Sequence, residues 1–315
     1  MSRVVVAGGA GFLGSHLCDR LVERGDSVLC LDDLSTGSRQ NVAHLLGHDR
    51  FHLVVTDVSE KVELEDALEV DAVCNLASPA SPPAYLARPF ETLAVGSEGT
   101  RRLLELAREH DARFLMASTS EIYGDPAVHP QVEWYRGNVD PTGPRSVYDE
   151  AKRFAESLTM AMHRTYGVNV GIARIFNTYG PRLSPGDGRV VSNFIVQALR
   201  GEPLTVYGDG TQTRSLCFVD DEIGGLLALL DSALTGPVNI GSPDERTVID
   251  LAHFVLAATG SASEIVYEAL PTDDPTRRCP DITLARNELG WEPTTGLAEG
   301  IARTIDYFAQ KVKAP

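Results

Sequence analysis

The chain has 315 residues, 43% hydrophobic and 23% charged, with a formal net charge of −16 at neutral pH. That length accommodates one large α/β domain, alone or with a smaller one. The negative excess argues against nucleic acid or an anionic membrane as partner, and no apolar run nears the ~20 residues that span a bilayer.

Met1-Ser2-Arg3 runs straight into Val4-Val5-Val6, which predicts a first strand over Arg3–Ala7 and no export signal. The five cysteines (Cys18, Cys30, Cys74, Cys217 and Cys279) are odd in number and lack a Cys-x-x-Cys pair. Reduced thiols in a cytoplasm are therefore expected, with neither a disulfide frame nor a zinc site. Gly8-Gly9-Ala10-Gly11-Phe12-Leu13-Gly14 separates the first strand from an amphipathic stretch reaching Arg24. Glycines at positions 8, 11 and 14 let the backbone turn tightly and let a helix amino terminus approach a pyrophosphate.

Ser27–Leu31 is the next strand, and Asp32 at its end is placed to accept hydrogen bonds from a ribose diol. A carboxylate there repels a 2′-phosphate, so NAD is expected over NADP, although Arg39 lies nearby. His44, His48 and His52 are four apart, but Gly47 interrupts them and Phe51 begins strand character, so they read as solvated loop residues and not metal ligands.

The strand pattern repeats at Phe51–Val55, Ala72–Leu76, Arg113–Ala117 and Val168–Ile175, with helices between, notably Thr92–Glu109 and Val147–Tyr166. Short apolar strands alternating with helices predict an α/β fold: a Rossmann-type, doubly wound parallel sheet with binding loops at the carboxyl ends of its strands. Asp57 and Val58 then flank an adenine, while Asn75, Leu76 and Ala77 lie along the pyrophosphate and nicotinamide ribose.

Ser118-Thr119-Ser120-Glu121 falls at the same sheet edge, where Thr119 can hydrogen-bond a sugar hydroxyl and Glu121 can act as base or orient a water. Tyr148 and Lys152, four residues apart, share one helix face. The ammonium there favours the phenolate of a group whose ordinary pKa is about 10. Asp125–Pro144, rich in Pro, Gly and aromatics, reads as a loop over this site. Beyond Asn177 the regular alternation stops. The expected division is a dinucleotide-binding domain of residues 1–176 with about 214–240, and a smaller substrate-binding α/β domain of about 177–213 and 241–315. The late arginines Arg174, Arg182, Arg189, Arg214, Arg277 and Arg278 offer local positive charge for an anionic substrate.

The chain resembles extended short-chain dehydrogenase/reductases acting on nucleotide sugars, most closely UDP-glucuronic acid decarboxylases. The resemblance covers nearly the whole length. It is carried by residues 77–82 (Ala-Ser-Pro-Ala-Ser-Pro), 118–126 (Ser-Thr-Ser-Glu-Ile-Tyr-Gly-Asp-Pro), 175–182 (Ile-Phe-Asn-Thr-Tyr-Gly-Pro-Arg), 187–194 and 201–208. It implies NAD as cofactor and a cycle in which Tyr148, aided by Lys152, takes the sugar 4-hydroxyl proton while the C4 hydride leaves. The resulting 4-ketone is an electron sink for loss of the C6 carboxylate, and hydride return gives UDP-xylose. Thr119 would hold the 4-oxygen and Glu121 manage the C5 proton or the ring's position. Tyr85, Asn177, Arg189, Tyr207, Arg214 and Arg278 would contact UDP or the sugar, Arg278 at the diphosphate or the carboxylate. A homodimer joined through helices, including the one bearing Tyr148, is also implied.

Sister activities differ at single positions. Nucleotide-sugar 4,6-dehydratases carry Thr-Asp-Glu where this chain has Thr119-Ser120-Glu121, and a serine is a poor proton donor for dehydration. 4-Epimerases share the Tyr/Lys chemistry but usually lack the acid at 121; a UDP-uronate 4-epimerase is the alternative and a nucleotide-sugar 4,6-dehydratase a weaker one, while a catalytically silent nucleotide sensor on the same fold would not need Tyr148, Lys152 and Glu121 together. Three departures stand out: Asn75 where His is frequent, Gly96 where many members have Asn, and Ala151 where Gly precedes the lysine. The first two could loosen the hold on NAD(H) or on the keto intermediate, and a member that lets the intermediate go would release some UDP-4-keto-xylose and NADH.

Overall fold

The computed structural model of the protein describes residues 2–60, 69–272 and 274–312. The chain opens with β1 (Arg3–Ala7), α1 (Phe12–Glu23), β2 (Ser27–Asp32), β3 (Phe51–Val55) and β4 (Ala72–Asn75). Then come α2 (Pro82–Ala87), α3 (Pro89–Ala94), α4 (Thr100–Glu109), β5 (Arg113–Thr119), α5 (Ser146–Tyr166) and β6 (Val170–Ile175). The carboxy-terminal part holds β7 (Thr178–Tyr179), α6 (Val190–Arg200), β8 (Leu204–Tyr207), β9 (Thr213–Ser215), β10 (Cys217–Phe218) and α7 (Val219–Leu230). It ends with β11 (Pro237–Ile240), β12 (Glu245–Thr247), α8 (Val248–Thr259), β13 (Ile265–Glu268), α9 (Thr283–Leu289) and α10 (Leu297–Val312).

Seven strands form one parallel sheet in the order β11-β6-β5-β4-β1-β2-β3. β1 lies between two neighbours and under two helical layers, which is why Val4 to Ala7 are all apolar and at most 1% exposed. One face packs Leu17 and Leu21 of α1 with Ile223, Leu226 and Leu229 of α7; the other packs Leu103, Leu104 and Ala107 of α4 with Ala155 and Met162 of α5. The strand order reverses between β1 and β4, and a doubly wound sheet binds its ligand at the carboxyl ends beside that reversal.

The helix expected over Thr92–Glu109 is not continuous. It starts at Pro89, a residue suited to a first helical turn, and is interrupted by a π turn over Val95–Gly99 before α4. Gly96 and Gly99 lie in that turn. A Cβ added at Gly96 would come within 2.7 Å of the Ala151 methyl, so α5 approaches as closely as the missing side chain permits. Gly96 itself lines neither cleft pocket. Asn75 is likewise turned inward at 2% exposure, donating to Thr100 Oγ1 at 3.2 Å while its Oδ1 accepts the Ala77 N–H.

The segment Asp125–Pro144 also departs from expectation, since none of it lines the cleft. Its backbone carbonyls at Gln131 and Glu133 accept from Asn239 and Arg174, which bind it to the β6–β11 side of the sheet.

Behind the sheet, Glu222 of α7 is fully buried; Oε2 accepts from Thr178 Oγ1 at 3.1 Å, while Oε1 has no partner. Burial pushes its carboxyl up to about 8, against small opposing contributions from Cys217 and Thr178. The native state therefore binds this proton more tightly than the unfolded chain, and stability from it is present below about pH 4.5 and lost as pH rises toward about 8. Glu222→Gln is expected to raise the melting temperature at pH 8 by several degrees and to change it little at pH 4.5. Thermal melts across that range would refute the burial effect if the two proteins ran parallel.

Candidate active site

One large cleft, about 890 Å³, runs along the carboxyl ends of the strands; a smaller pocket adjoins it. The glycine turn forms its floor. Gly8 has φ +76, and a Cβ at Gly14 would lie 2.0 Å from the Gly8 carbonyl oxygen, so α1 meets β1 only without that side chain. Gly11 places no side chain over the start of α1, and the first turn carries no acidic residue. Its free N–H groups are left to an anion. Phe12 and Leu13 line the same wall.

Asp32 is 7% exposed; its Oδ2 accepts the Ala10 N–H at 2.9 Å and its Oδ1 the Leu34 N–H at 2.8 Å. Burial raises its carboxyl above the ordinary value, with those N–H groups pulling the other way. Asp32, Asp57, Val58, Leu76 and Ala77 together line the smaller pocket, whereas Arg39 is exposed and lines neither pocket. An uncapped helix start, a glycine floor and a buried acid at the end of the adjacent strand fit a dinucleotide with an unphosphorylated ribose. Asp32→Asn is expected to weaken NAD binding by about 10- to 100-fold, the value of a hydrogen bond to a charged group. Titration of the protein with NAD checks it, and an unchanged affinity would remove Asp32 from the ribose.

At the other end of the cleft β5 runs two residues past its expected end, so Thr119 is its last residue and the chain turns at Ser120 into a 3-10 turn over Ser120–Tyr123. The Thr119 hydroxyl accepts the Glu121 N–H at 3.2 Å and lies near enough to the Tyr148 phenol to lower its pKa. Tyr148 and Lys152 are both 5% exposed on α5. Lys152 Nζ donates to the Ala117 carbonyl at 2.8 Å and sits 5.9 Å from the Tyr148 ring centre.

The electrostatics differ from the sequence expectation. Burial pushes the Tyr148 phenol up to about 12, with Thr119 and Arg189 lowering it and Glu121 and Asp149 raising it. Burial also brings Lys152 down to about 8. Proximity of the ammonium does not outweigh desolvation in the protein alone. Glu121 behaves oppositely: burial would raise it, but Arg278 and Arg145 prevail and hold it down to about 2.

Tyr85, Asn177, Arg189, Tyr207 and Arg214 all line the large cleft. Tyr85 stacks on Tyr148 with ring centres 5.2 Å apart and planes 5° from parallel. Arg189 pairs with Asp187 at 2.6 Å and Arg214 with Asp274 at 2.7 Å. Arg278 does not line the cleft. It is 1% exposed, donating to the Gly124 carbonyl and to Glu121 Oε2 at 3.1 Å. Sequence reasoning missed Arg145 and Asp274, both in the lining. A signal for Arg145 existed: it is the N-cap of α5, where a cation opposes the helix dipole.

This fold and cleft define a class. Residues 4–241 match the model of the NAD dependent epimerase/dehydratase family, and the chain belongs to that family. It is accordingly an NAD-dependent enzyme of nucleotide-sugar type. The chain is 49% identical over 311 residues to UDP-glucuronic acid decarboxylase 1 of Xenopus tropicalis, covering 99% of this chain and 73% of the relative. It is 51% identical over 310 residues to UDP-glucuronic acid decarboxylase 4 of Arabidopsis thaliana, covering 98% and 69%. Among solved structures, UDP-glucuronic acid 4-epimerase from Bacillus cereus in complex with UDP-glucuronic acid and NAD superposes with a TM-score of 0.86 at 26% identity, covering 98% of this chain and 99% of that one.

Proposed function

We propose that the protein decarboxylates UDP-glucuronate through a 4-keto intermediate to UDP-xylose. What carries the reading is the meeting of Tyr148, Thr119 and an ionised Glu121 in one cleft of a chain about half identical, end to end, to UDP-glucuronic acid decarboxylases. NAD, when bound, supplies the acceptor that takes the C4 hydride and later returns it. Tyr148, as the phenolate that the Lys152 ammonium and a bound cationic nicotinamide would favour, accepts the 4-hydroxyl proton, and Thr119, beside the phenol, orients that oxygen. The ketone so formed lies β to the carboxylate, and CO2 departs with its bonding pair left on C5 and the ketone oxygen; C5 then takes a proton from solvent, and return of the hydride to C4 with the Tyr148 proton to its oxygen restores the 4-hydroxyl. Lys152 fixes the end of β5 through the Ala117 carbonyl and presents its ammonium along the Tyr148 ring. Glu121, held as an anion by two arginines, is a poor proton shuttle and serves to position the arginines and the ring. Ser120, 1% exposed in the lining, offers no acid for dehydration.

Product analysis with UDP-glucuronate and NAD is the test. Release of CO2 with formation of a UDP-pentose is expected; a retained C6 and a galacto product would replace this reading with the 4-epimerase, and an untouched substrate would reject both. Absorbance from NADH in the same mixture measures how much 4-keto-pentose escapes.

Two further features belong to the same proposal. Leu86, Phe90 and Leu93 around α2 and α3, with Phe154 on α5, expose 50%, 80%, 40% and 52% of their surfaces, a helical face suited to a homodimer through α5. All five cysteines are unpaired and buried, in keeping with a cytoplasmic enzyme. No helix among the described residues is long and apolar enough to cross a membrane.

A further inference from the structure

One positive charge in the cleft lacks a full counterpart. Among the described residues, three arginines, Arg145, Arg214 and Arg278, stand around Glu121 and are held by two carboxylates, Glu121 and Asp274. Arg189 is already matched by Asp187 and leaves that balance unchanged. Asp149, beside them on α5, is pushed up to about 7 by burial and by Glu121, so it cancels only part of the surplus near neutral pH. A net cationic spot inside a chain of charge −16 marks a place for an anion.

Within the cleft lining the surplus falls on one side chain. Arg214 is committed to Asp274 at 2.7 Å and to the Pro275 carbonyl at 2.9 Å, and Arg278, which donates to Glu121 at 3.1 Å and keeps a buried Nε without a partner among the described residues, is not in the lining. Arg145 lines the cleft and gives Nη2 to Glu121 at 2.6 Å, but among the described residues its Nη1 has only Asp274 Oδ1 at 3.6 Å, too long for a hydrogen bond. The Tyr85 hydroxyl, close enough for Arg145 to act on its charge, is buried without any partner, while its ring is stacked on Tyr148. A guanidinium N–H and a phenol O–H thus remain uncommitted beside the reacting phenol. Neither is explained by helix formation, since a cation at the start of α5 opposes its dipole.

We propose that Arg145, with the Tyr85 hydroxyl beside it, receives the carboxylate of the sugar and is the residue that selects a uronate over a neutral hexose. This rests on the nucleotide-uronate reading above. The contact is strongest with the bound substrate, because a carboxylate leaving as CO2 gives up its charge; it favours binding and does not accelerate the chemistry.

The test compares binding of UDP-glucuronate and UDP-glucose, which differ at C6 alone, by calorimetry with NAD present and Tyr148→Phe as the non-turning parent. The parent is expected to prefer the uronate by about 10- to 100-fold, the worth of a charge-assisted hydrogen bond. Arg145→Gln is expected to bring the two affinities to within about threefold by weakening only the uronate, with Arg145→Lys retaining part of the preference because its charge remains. A preference that survives Arg145→Gln overturns the proposal, as does an equal loss for both sugars, which marks a merely structural role. A parent with no preference overturns the uronate reading itself, an outcome distinguishable from failure at Arg145.

Discussion

Replacing Tyr148 by phenylalanine is expected to reduce turnover of UDP-glucuronate by about 10²- to 10⁴-fold, the contribution of a positioned proton-transfer group. NAD affinity should hardly change. The hydroxyl is buried and in the protein alone stands near 12, so removing it costs the fold little while removing the group that, as the phenolate favoured once a cationic nicotinamide is bound, takes the 4-hydroxyl proton. The Tyr85 ring remains stacked on the phenyl group and keeps the wall of the cleft in place. Stopped-flow absorbance of NADH separates the possibilities: a variant that still reduces its cofactor at the parental rate would exonerate the phenol and break the mechanism.

Glu121→Gln should have the largest effect on stability. The carboxylate is the shared counter-ion of Arg145 and Arg278, at 2.6 and 3.1 Å, and Arg278 is 1% exposed. Neutralising it strands buried cations, a change that costs about 3–5 kcal/mol. Its pKa is lowered from 4.5 to about 2, so its stabilising contribution is complete above pH 4.5 and is lost as pH falls toward about 2. Chemical denaturation at pH 7 should show the full deficit, and the gap between parent and variant should narrow on acidification below 4.5. The same pKa makes a kinetic statement. The parental pH–rate profile should carry no limb from Glu121 between pH 5 and 9; a limb near pH 6 that vanished in the variant would restore this carboxylate as a proton shuttle.

The sheet and its cofactor edge were legible because their signals are local. Arg3–Ala7 followed by glycines at 8, 11 and 14 specifies strand, turn and helix within a dozen residues, and Asp32 ends the very next strand. The interruption of Thr92–Glu109 was not legible, because it depends on how near α5 comes to Gly96, and that distance is set by tertiary packing. The position of Arg278 was hidden for a similar reason. Its partner Glu121 lies 157 residues earlier, and nothing in one dimension tells whether a guanidinium faces a ligand or the back of a turn. Spacing put Lys152 on the face of Tyr148, yet the phenol's proton affinity follows desolvation, which a residue pattern does not display. Asp125–Pro144 had a loop's composition, but composition says nothing about which side of the sheet a loop is tied to.

The fit of Gly96 against the Ala151 methyl constrains the history open to this enzyme. Bulk gained at position 96 is tolerable only once position 151 has shed its methyl, whereas the reverse order passes through a strained intermediate one residue from Lys152. The two sites therefore trade volume as a unit, and any lineage crossing between the alternatives must take its steps in one sequence.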